Sequence, residues 1–385
     1  MKRTPWIDPE TAYIHVPFCA HHCGYCDFAV TVGQDHQIEL YLEALAVELA
    51  SLAQPYPVQT LFIGGGTPTH LSAAQLDGLL ALLQRWLPWP RGNEASIEAT
   101  PESLSVEKCA VLAARGITRV SLGVQSFDTR TLAALDRRHR SDQIGVALCY
   151  IRDAGLTASL DLIYAAPGST LADWQADVAQ ALKFEPEHLS AYGLTYEKGT
   201  PLWKQRQRGA VRVVPELEEL AMYEWTLDAL AAHGYEHYEV SNFAKPGHRC
   251  GHNERYWANE AYHGYGTGAA RYVGSSRELN VRNTADYIRR TLGGESPTFQ
   301  REILSPHERA LETAAVQLRR GRGIEFHPFE QQTGYSAVEL FRLAMPVLLG
   351  EALVHRSDTG LSLTRKGYCV ADGVVEHLLS RATPA

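Results

Sequence analysis

The chain has 385 residues, more than a single hydrophobic core usually organises, so a large domain and a smaller one are expected. A formal net charge of −8 argues against a general polyanion-binding surface, and no nucleic-acid partner is expected. Seven cysteines, an odd and sparse set, exclude a disulfide scaffold and suit a reducing compartment, with the cytoplasm as the expected location.

Residues 1 to 10 lack the apolar stretch of a signal peptide, and no window reaches the roughly 18 to 20 apolar residues of a spanning helix. Short apolar segments then alternate with longer helical patterns. Ala12 to Val16, Thr60 to Ile63, Ser96 to Ala99, Arg119 to Val124, Ala158 to Ile163 and Leu189 to Leu194 read as six strands. Ile38, Leu42, Leu45, Leu49 and Leu52 recur at helical spacing and mark one buried face. Ser105 is placed to cap the helix that ends before Gly116, Ser141 the helix that ends at Gly155, and Thr170 with Asp173 forms an acidic capping box. This βαβα order predicts parallel strands with helices outside. A doubly wound open sheet and a partial barrel both satisfy it, and in either one ligands gather at the carboxyl ends of the strands.

From about Tyr196 the alternation fades into a polar, aromatic and Gly-rich stretch holding five histidines between His233 and His263. A second unit begins near Ser305, where Ser-Pro-His-Glu supplies an N-cap, a proline at the first helical position and Glu308 at the third. A second helical pattern follows around Val338 to Leu349, then two short apolar segments flanking Ser-Asp-Thr-Gly360, then a last helix after Thr364. Helices followed by a hairpin predict a winged-helix-like α+β domain, read as a packing or lid module because the chain has no basic excess.

The sharpest motif is Cys19, Cys23 and Cys26, a C-x3-C-x2-C spacing. Three soft ligands so close together suit a [4Fe-4S] cluster with one iron left open, or a zinc loop completed by His15, His21, His22 or Asp27. Gly64-Gly65-Gly66-Thr67-Pro68 follows the second strand; its glycines allow close approach of a charged ligand, and the Lys-Ser/Thr pair of a nucleotide phosphate loop is missing. Glu98, Gln125, Arg137 and Asp161 fall at or near successive strand ends. Polar groups repeated at such positions predict one shared polar ligand, because each is costly to bury alone.

These motifs together resemble the radical S-adenosylmethionine superfamily and, within it, the HemW family of heme chaperones, related to oxygen-independent coproporphyrinogen oxidase. The resemblance runs from about Ala12 to Leu379. It implies a partial (β/α)6 barrel with a winged-helix-like C-terminal domain. It implies that Cys19, Cys23 and Cys26 ligate a [4Fe-4S] cluster whose open iron takes the amino and carboxylate groups of S-adenosylmethionine, and that Tyr13, Gly65, Gly66, Thr67, Glu98, Gln125, Arg137 and Asp161 line the cofactor site. Electron transfer from the cluster would then cleave a carbon–sulfur bond of the cofactor. The implied division is a barrel over residues 1–230, a connecting region over 231–298 and the winged-helix-like unit over 299–385.

Two details separate the chaperones from the oxidases in this resemblance. The oxidase pattern adds a cysteine two residues after the third ligand, where this chain has Phe28, and an N-terminal extension before the first, where this chain has eighteen residues. The run His252-Asn-Glu-Arg-Tyr256-Trp257 supplies the H-N-x-x-Y-W signature associated with heme, with His252 as the axial candidate, His248, His263 and Cys250 as competitors, and Tyr256 and Trp257 as flat apolar surface. The implied function is heme delivery to acceptor proteins, a transiently bound membrane protein among the candidates, with cofactor cleavage regulatory or residual. Oxidative decarboxylation of coproporphyrinogen is the alternative. The chain departs from the family pattern at Ala270, where relatives tend to carry histidine, and at Ala165-Ala166 before Pro167-Gly168. Cys109, Cys149 and Cys369 read as structural.

Overall fold

A computed structural model describes residues 4–383. Six parallel strands, β1 (Thr11–Val16), β2 (Thr60–Gly65), β3 (Glu94–Ala99), β4 (Arg119–Gln125), β5 (Thr157–Tyr164) and β6 (His188–Gly193), stand side by side in chain order. Each lies within two residues of its expected span. Ile14, Leu61, Ile97, Val120 and Leu160 on one face are fully buried against the surrounding helices, a burial worth about 1.5–3 kcal/mol for each such side chain. The alternate residues Tyr13, Phe62, Glu98, Ser121 and Asp161 line one shared cavity. The strands are therefore apolar outward and polar inward, the inverse of a filled barrel core.

The helices between them start and stop as their punctuation dictates. Ser72 with Gln75 and Thr170 with Asp173 form complete capping boxes, and Ser105 accepts the Lys108 N–H. Gly116 and Gly155 follow their helices at φ +83° and +74°. One cap differs. The residue at the N-cap of Ser141–Asp153 is Arg140, with extended backbone, and Ser141 is already helical; Gln143 Oε1 accepts the Arg140 N–H at 2.8 Å in place of a serine contact.

The sheet also continues where sequence periodicity fades. β7 (Glu236–Glu239) and β8 (Asn242–Ala244) add antiparallel strands beyond β6, while β9 (Tyr262–Gly266) pairs parallel to β1 and leads into an antiparallel run of β10 (Ala270–Val273), β11 (Ser276–Asn280) and β12 (Thr298–Ile303). The order is β12-β11-β10-β9-β1-β2-β3-β4-β5-β6-β8-β7. Glu48, on the first barrel helix, ties this extension down: its carboxylate accepts from Gly266 N at 2.8 Å, Asn280 Nδ2 at 2.7 Å and Tyr287 Oη at 2.7 Å.

A second core gathers around Ala314, Leu318, Phe329, Phe341 and Leu378. Its first helix, Pro306–Gln317, opens with the expected Ser305–Glu308 capping box. Strands β13 (Ile324–Glu325), β14 (Val354–Arg356) and β15 (Gly360–Leu363) form the small wing sheet, ordered β13-β15-β14. The helical pattern expected over Val338 to Leu349 is two short helices, Ala337–Leu340 and Met345–Gly350. Pro346 lacks the N–H that would continue the first helix and sits in the opening turn of the second. Among the described residues no helix is long and apolar enough to cross a membrane.

Candidate functional site

A cavity of about 990 Å³ occupies the concave side of the sheet, and the leading candidates for cluster, cofactor and heme all line it: Cys19, Cys23 and Cys26; Gly65, Gly66 and Thr67; Tyr13, Glu98, Gln125, Arg137 and Asp161; and His252. The competitors His248 and His263 do not line it, whereas Cys250, Tyr256 and Trp257 do.

The cysteines sit on the loop that leaves β1. The backbone N–H of Cys26 bonds to the Cys23 carbonyl at 3.2 Å, Thr67 Oγ1 lies 3.5 Å from Cys19 Sγ, and Arg137 Nη1 donates to Cys23 Sγ at 3.4 Å. All three are free thiols. Burial pushes Cys19 up to about 12 and Cys26 up to about 11, with the neighbouring thiols adding to each rise. Thiols that burial keeps protonated give up their protons when a cation binds among them, the condition a metal cluster would meet. The alternative zinc ligands are engaged elsewhere: His15 Nε2 with Ala29 O at 2.8 Å, His21 Nε2 with Asp136 at 3.1 Å, His22 Nε2 with Cys26 O at 3.0 Å, and Asp27 with Arg282 at 3.1 Å. Among the described residues no three His, Cys, Asp or Glu side chains converge on one ion. The donor set thus fits a wide cluster held by three thiolates better than a closed four-ligand zinc site.

The glycine turn is sterically obligatory. A Cβ on Gly64 would stand 2.8 Å from the Glu98 carboxyl, one on Gly65 2.6 Å from the His15 ring, and one on Gly66 2.6 Å from the Pro17 carbonyl oxygen. Gly65 also has φ +110°. Its N–H donates to Glu98 Oε2 at 2.9 Å.

Glu98 and Asp161 are two carboxyls facing one chamber. Burial, then the charge of Asp161, pushes Glu98 up to about 8, against the Gly65 hydrogen bond. Burial pushes Asp161 up to about 6, against hydrogen bonds from Ser190 and Ser121, the latter at 2.9 Å. A cationic ligand would relieve both, and the sulfonium and ammonium of S-adenosylmethionine supply that charge. Gln125 reaches the cavity from a left-handed backbone, φ +63°, where the ladder between β4 and β5 shifts register; the bulge turns its side chain inward.

His252 is buried on the short helix Gly251–Trp257, its ring between Phe62 and Tyr256 at centroid distances of 5.0 and 4.7 Å. Burial lowers it to about 3, and its buried Nδ1 has no hydrogen-bond partner. A neutral imidazole with one free nitrogen is the form that ligates iron. Sequence reasoning missed the group that positions this helix: Glu94, at the start of β3, accepts from Gly251 N at 2.6 Å and His252 N at 3.0 Å and takes the Cys250 thiol at 3.2 Å. It also missed the inward-facing Arg119 at the start of β4. Of the cysteines read as structural, Cys109 is buried, Cys369 is half-buried and Cys149 is exposed.

Comparisons with known proteins follow the same lines. The profile of the Radical SAM superfamily matches residues 13–181, and that of the HemN C-terminal domain matches residues 304–370. The heme chaperone HemW of Bacillus subtilis is 36% identical over 371 residues, covering 95% of this chain and 98% of the relative. That of Lactococcus lactis is 35% identical over 375 residues, covering 96% and 97%. The crystallised coproporphyrinogen III oxidase HemN of Escherichia coli superposes with a TM-score of 0.85 over 98% of this chain and 91% of its own at 23% identity, a likeness of fold. Identity of this extent, on a radical SAM barrel carrying a HemN-type C-terminal domain, places the chain in the HemW family.

Proposed function

We propose that the chain binds heme and delivers it to acceptor proteins, and that it does so from a radical S-adenosylmethionine scaffold in the cytoplasm. The observation that carries this reading is the single cavity that joins the cysteine loop to His252. Its volume of about 990 Å³ lies at the top of the roughly 300–1,000 Å³ range of small-molecule sites, room for more than one ligand.

In this reading Cys19, Cys23 and Cys26 hold a [4Fe-4S] cluster, which supplies an electron and an open coordination position when bound. Arg137, fixed by its Nη2 bond to the Gly123 carbonyl at 2.7 Å, keeps positive charge beside Cys23. Glu98 and Asp161 give up protons to the bulk as the cofactor's cationic portion arrives, while Gly65, Gly66 and Thr67 offer backbone to its polar end. Tyr13 and Gln125 close the sides of the site. His252, with its unpartnered Nδ1, would be the residue that holds heme iron, and Tyr256 and Trp257 would supply apolar surface for the porphyrin. We divide the roles as a barrel with cluster and cofactor site over residues 1–230, a heme-associated segment over 231–298 and a winged-helix-like packing unit over 299–385. Acceptors include a transiently bound membrane protein.

The test is an anaerobic heme titration of the reconstituted protein, following the Soret band through gel filtration with coproheme as a parallel ligand. Near-stoichiometric retained heme is the expected result. Failure to retain heme, with protoporphyrinogen formed from coproporphyrinogen in the presence of reductant and cofactor, would replace this reading with the decarboxylase.

A further inference from the structure

The cavity has a second end. Arg119 opens β4 and Gln125 closes it, so the arginine enters the cavity from the far end of the strand, four residues before Gly123, the register partner of Asp161. Arg119 is 7% exposed and lines the cavity. Its Nη2 donates to the carbonyls of His248 at 2.8 Å and Arg249 at 3.1 Å, which fixes the plane of the guanidinium. Its Nη1 is buried and has no partner.

The charge of Arg119 is felt by Asp161, whose carboxyl it helps hold down. Yet among the described residues no carboxylate lies within ion-pair distance of Arg119, and Glu94, at the start of the neighbouring strand, is taken up by Cys250, Gly251 and His252. Ser96 stands beside Arg119 in register on that strand, and its buried Oγ is also without a partner. A buried guanidinium left unpaired is strongly unfavourable, and its fork matches a carboxylate. A cationic donor that lines the cavity with one nitrogen unsatisfied, backed by an unpartnered hydroxyl on the next strand, describes an anion subsite.

From this arrangement we infer that Arg119 anchors a carboxylate arm of the cavity's ligand, a propionate of the tetrapyrrole. The inference rests on the heme reading above and adds to it an orientation: the ring lies across the His252 wall with its carboxylate edge toward the start of β4. A carboxylate could also come from S-adenosylmethionine, and the experiment separates the two sources.

Heme and heme dimethyl ester, which lacks free carboxylates, are titrated into the full-length protein and into Arg119→Gln, with S-adenosylmethionine binding measured in parallel. Wild type should bind heme roughly 10- to 100-fold more tightly than the ester, the factor expected for a hydrogen bond to a charged group. Arg119→Gln should bind heme only as well as the ester, with unchanged affinity for S-adenosylmethionine, and Arg119→Lys should recover part of the preference. The wild-type comparison needs no variant to fold. Equal binding of heme and ester by wild type, a preference that survives in Arg119→Gln, or loss of S-adenosylmethionine binding with heme affinity intact would each overturn the assignment. Wild type that retains neither tetrapyrrole defeats the heme reading itself, and the anchor with it.

Discussion

The carboxylate of Glu94 accepts the backbone N–H of His252 at 3.0 Å, so a residue on the third barrel strand holds the helix that carries the candidate heme ligand. The same carboxylate takes Gly251 N at 2.6 Å, which makes it the cap of a seven-residue helix with no side-chain cap of its own. Glu94→Ala is expected to lower stability by about 1–2 kcal/mol, the usual cost of a lost cap. Urea unfolding should show this, and Glu94→Gln should recover part of it.

The cysteine loop and the His252 wall belong to different elements, the first leaving β1 and the second on a helix braced by β3. Cys19→Ala, Cys23→Ala or Cys26→Ala should therefore remove the iron and labile sulfide while heme affinity changes by less than about tenfold, or about 1.4 kcal/mol. Metal and sulfide analysis beside a heme titration checks this. Loss of both together would show that one site builds the other.

Gly66→Ala drives a Cβ to 2.6 Å from the Pro17 carbonyl oxygen, a backbone atom that cannot rotate away. Overpacking of this kind costs about 1–3 kcal/mol. The expected outcome is a lower unfolding midpoint together with weakened S-adenosylmethionine binding, read by calorimetry. Gly78→Ala, on an exposed helix face where an added Cβ meets nothing within 4 Å, is the control: it should leave S-adenosylmethionine binding unchanged and raise the unfolding midpoint, through about 0.5–1 kcal/mol of helix propensity.

Burial and the charge of Asp161 hold Glu98 at about 8, and burial holds Asp161 at about 6, both above their unfolded values of about 4. Between those limits the folded chain binds more protons than the unfolded one, so the stability these groups contribute is fully present near pH 4 and is lost as pH rises through 6 and then 8. For the metal-free chain, the urea midpoint should fall across pH 5–9, and Glu98→Gln should flatten the upper part of that slope. Binding of S-adenosylmethionine near pH 7 should release protons, seen as a buffer-dependent heat.

The barrel and its site were legible because both carry dense local signals. Apolar runs such as Thr60–Ile63 pack under helices, and the polar interruptions fall on the inward side, Glu98 and Gln125 at strand ends and Asp161 in mid-strand. The later strands were not legible because they are short and most are antiparallel, several of them half-exposed: Glu236–Glu239 reads EHYE, and in Thr298–Ile303 both Phe299 and Ile303 face solvent. Their pairing comes from tertiary contacts such as those of Glu48, which span more than 200 residues. Arg119 and Glu94 escaped notice for a related reason. Each opens its strand, where a charged residue ordinarily means the strand has not yet entered the core.

Strand β1 leads directly into the cysteine loop, yet one of its two neighbours, β9, comes about 250 residues later. During synthesis the strand remains an edge, with one row of backbone donors and acceptors open, until residue 266 has left the ribosome. The loop is pinned later still, when Thr284 reaches Thr31 at 2.7 Å between hydroxyl oxygens. The nascent chain thus presents its three thiols long before the wall behind them is finished.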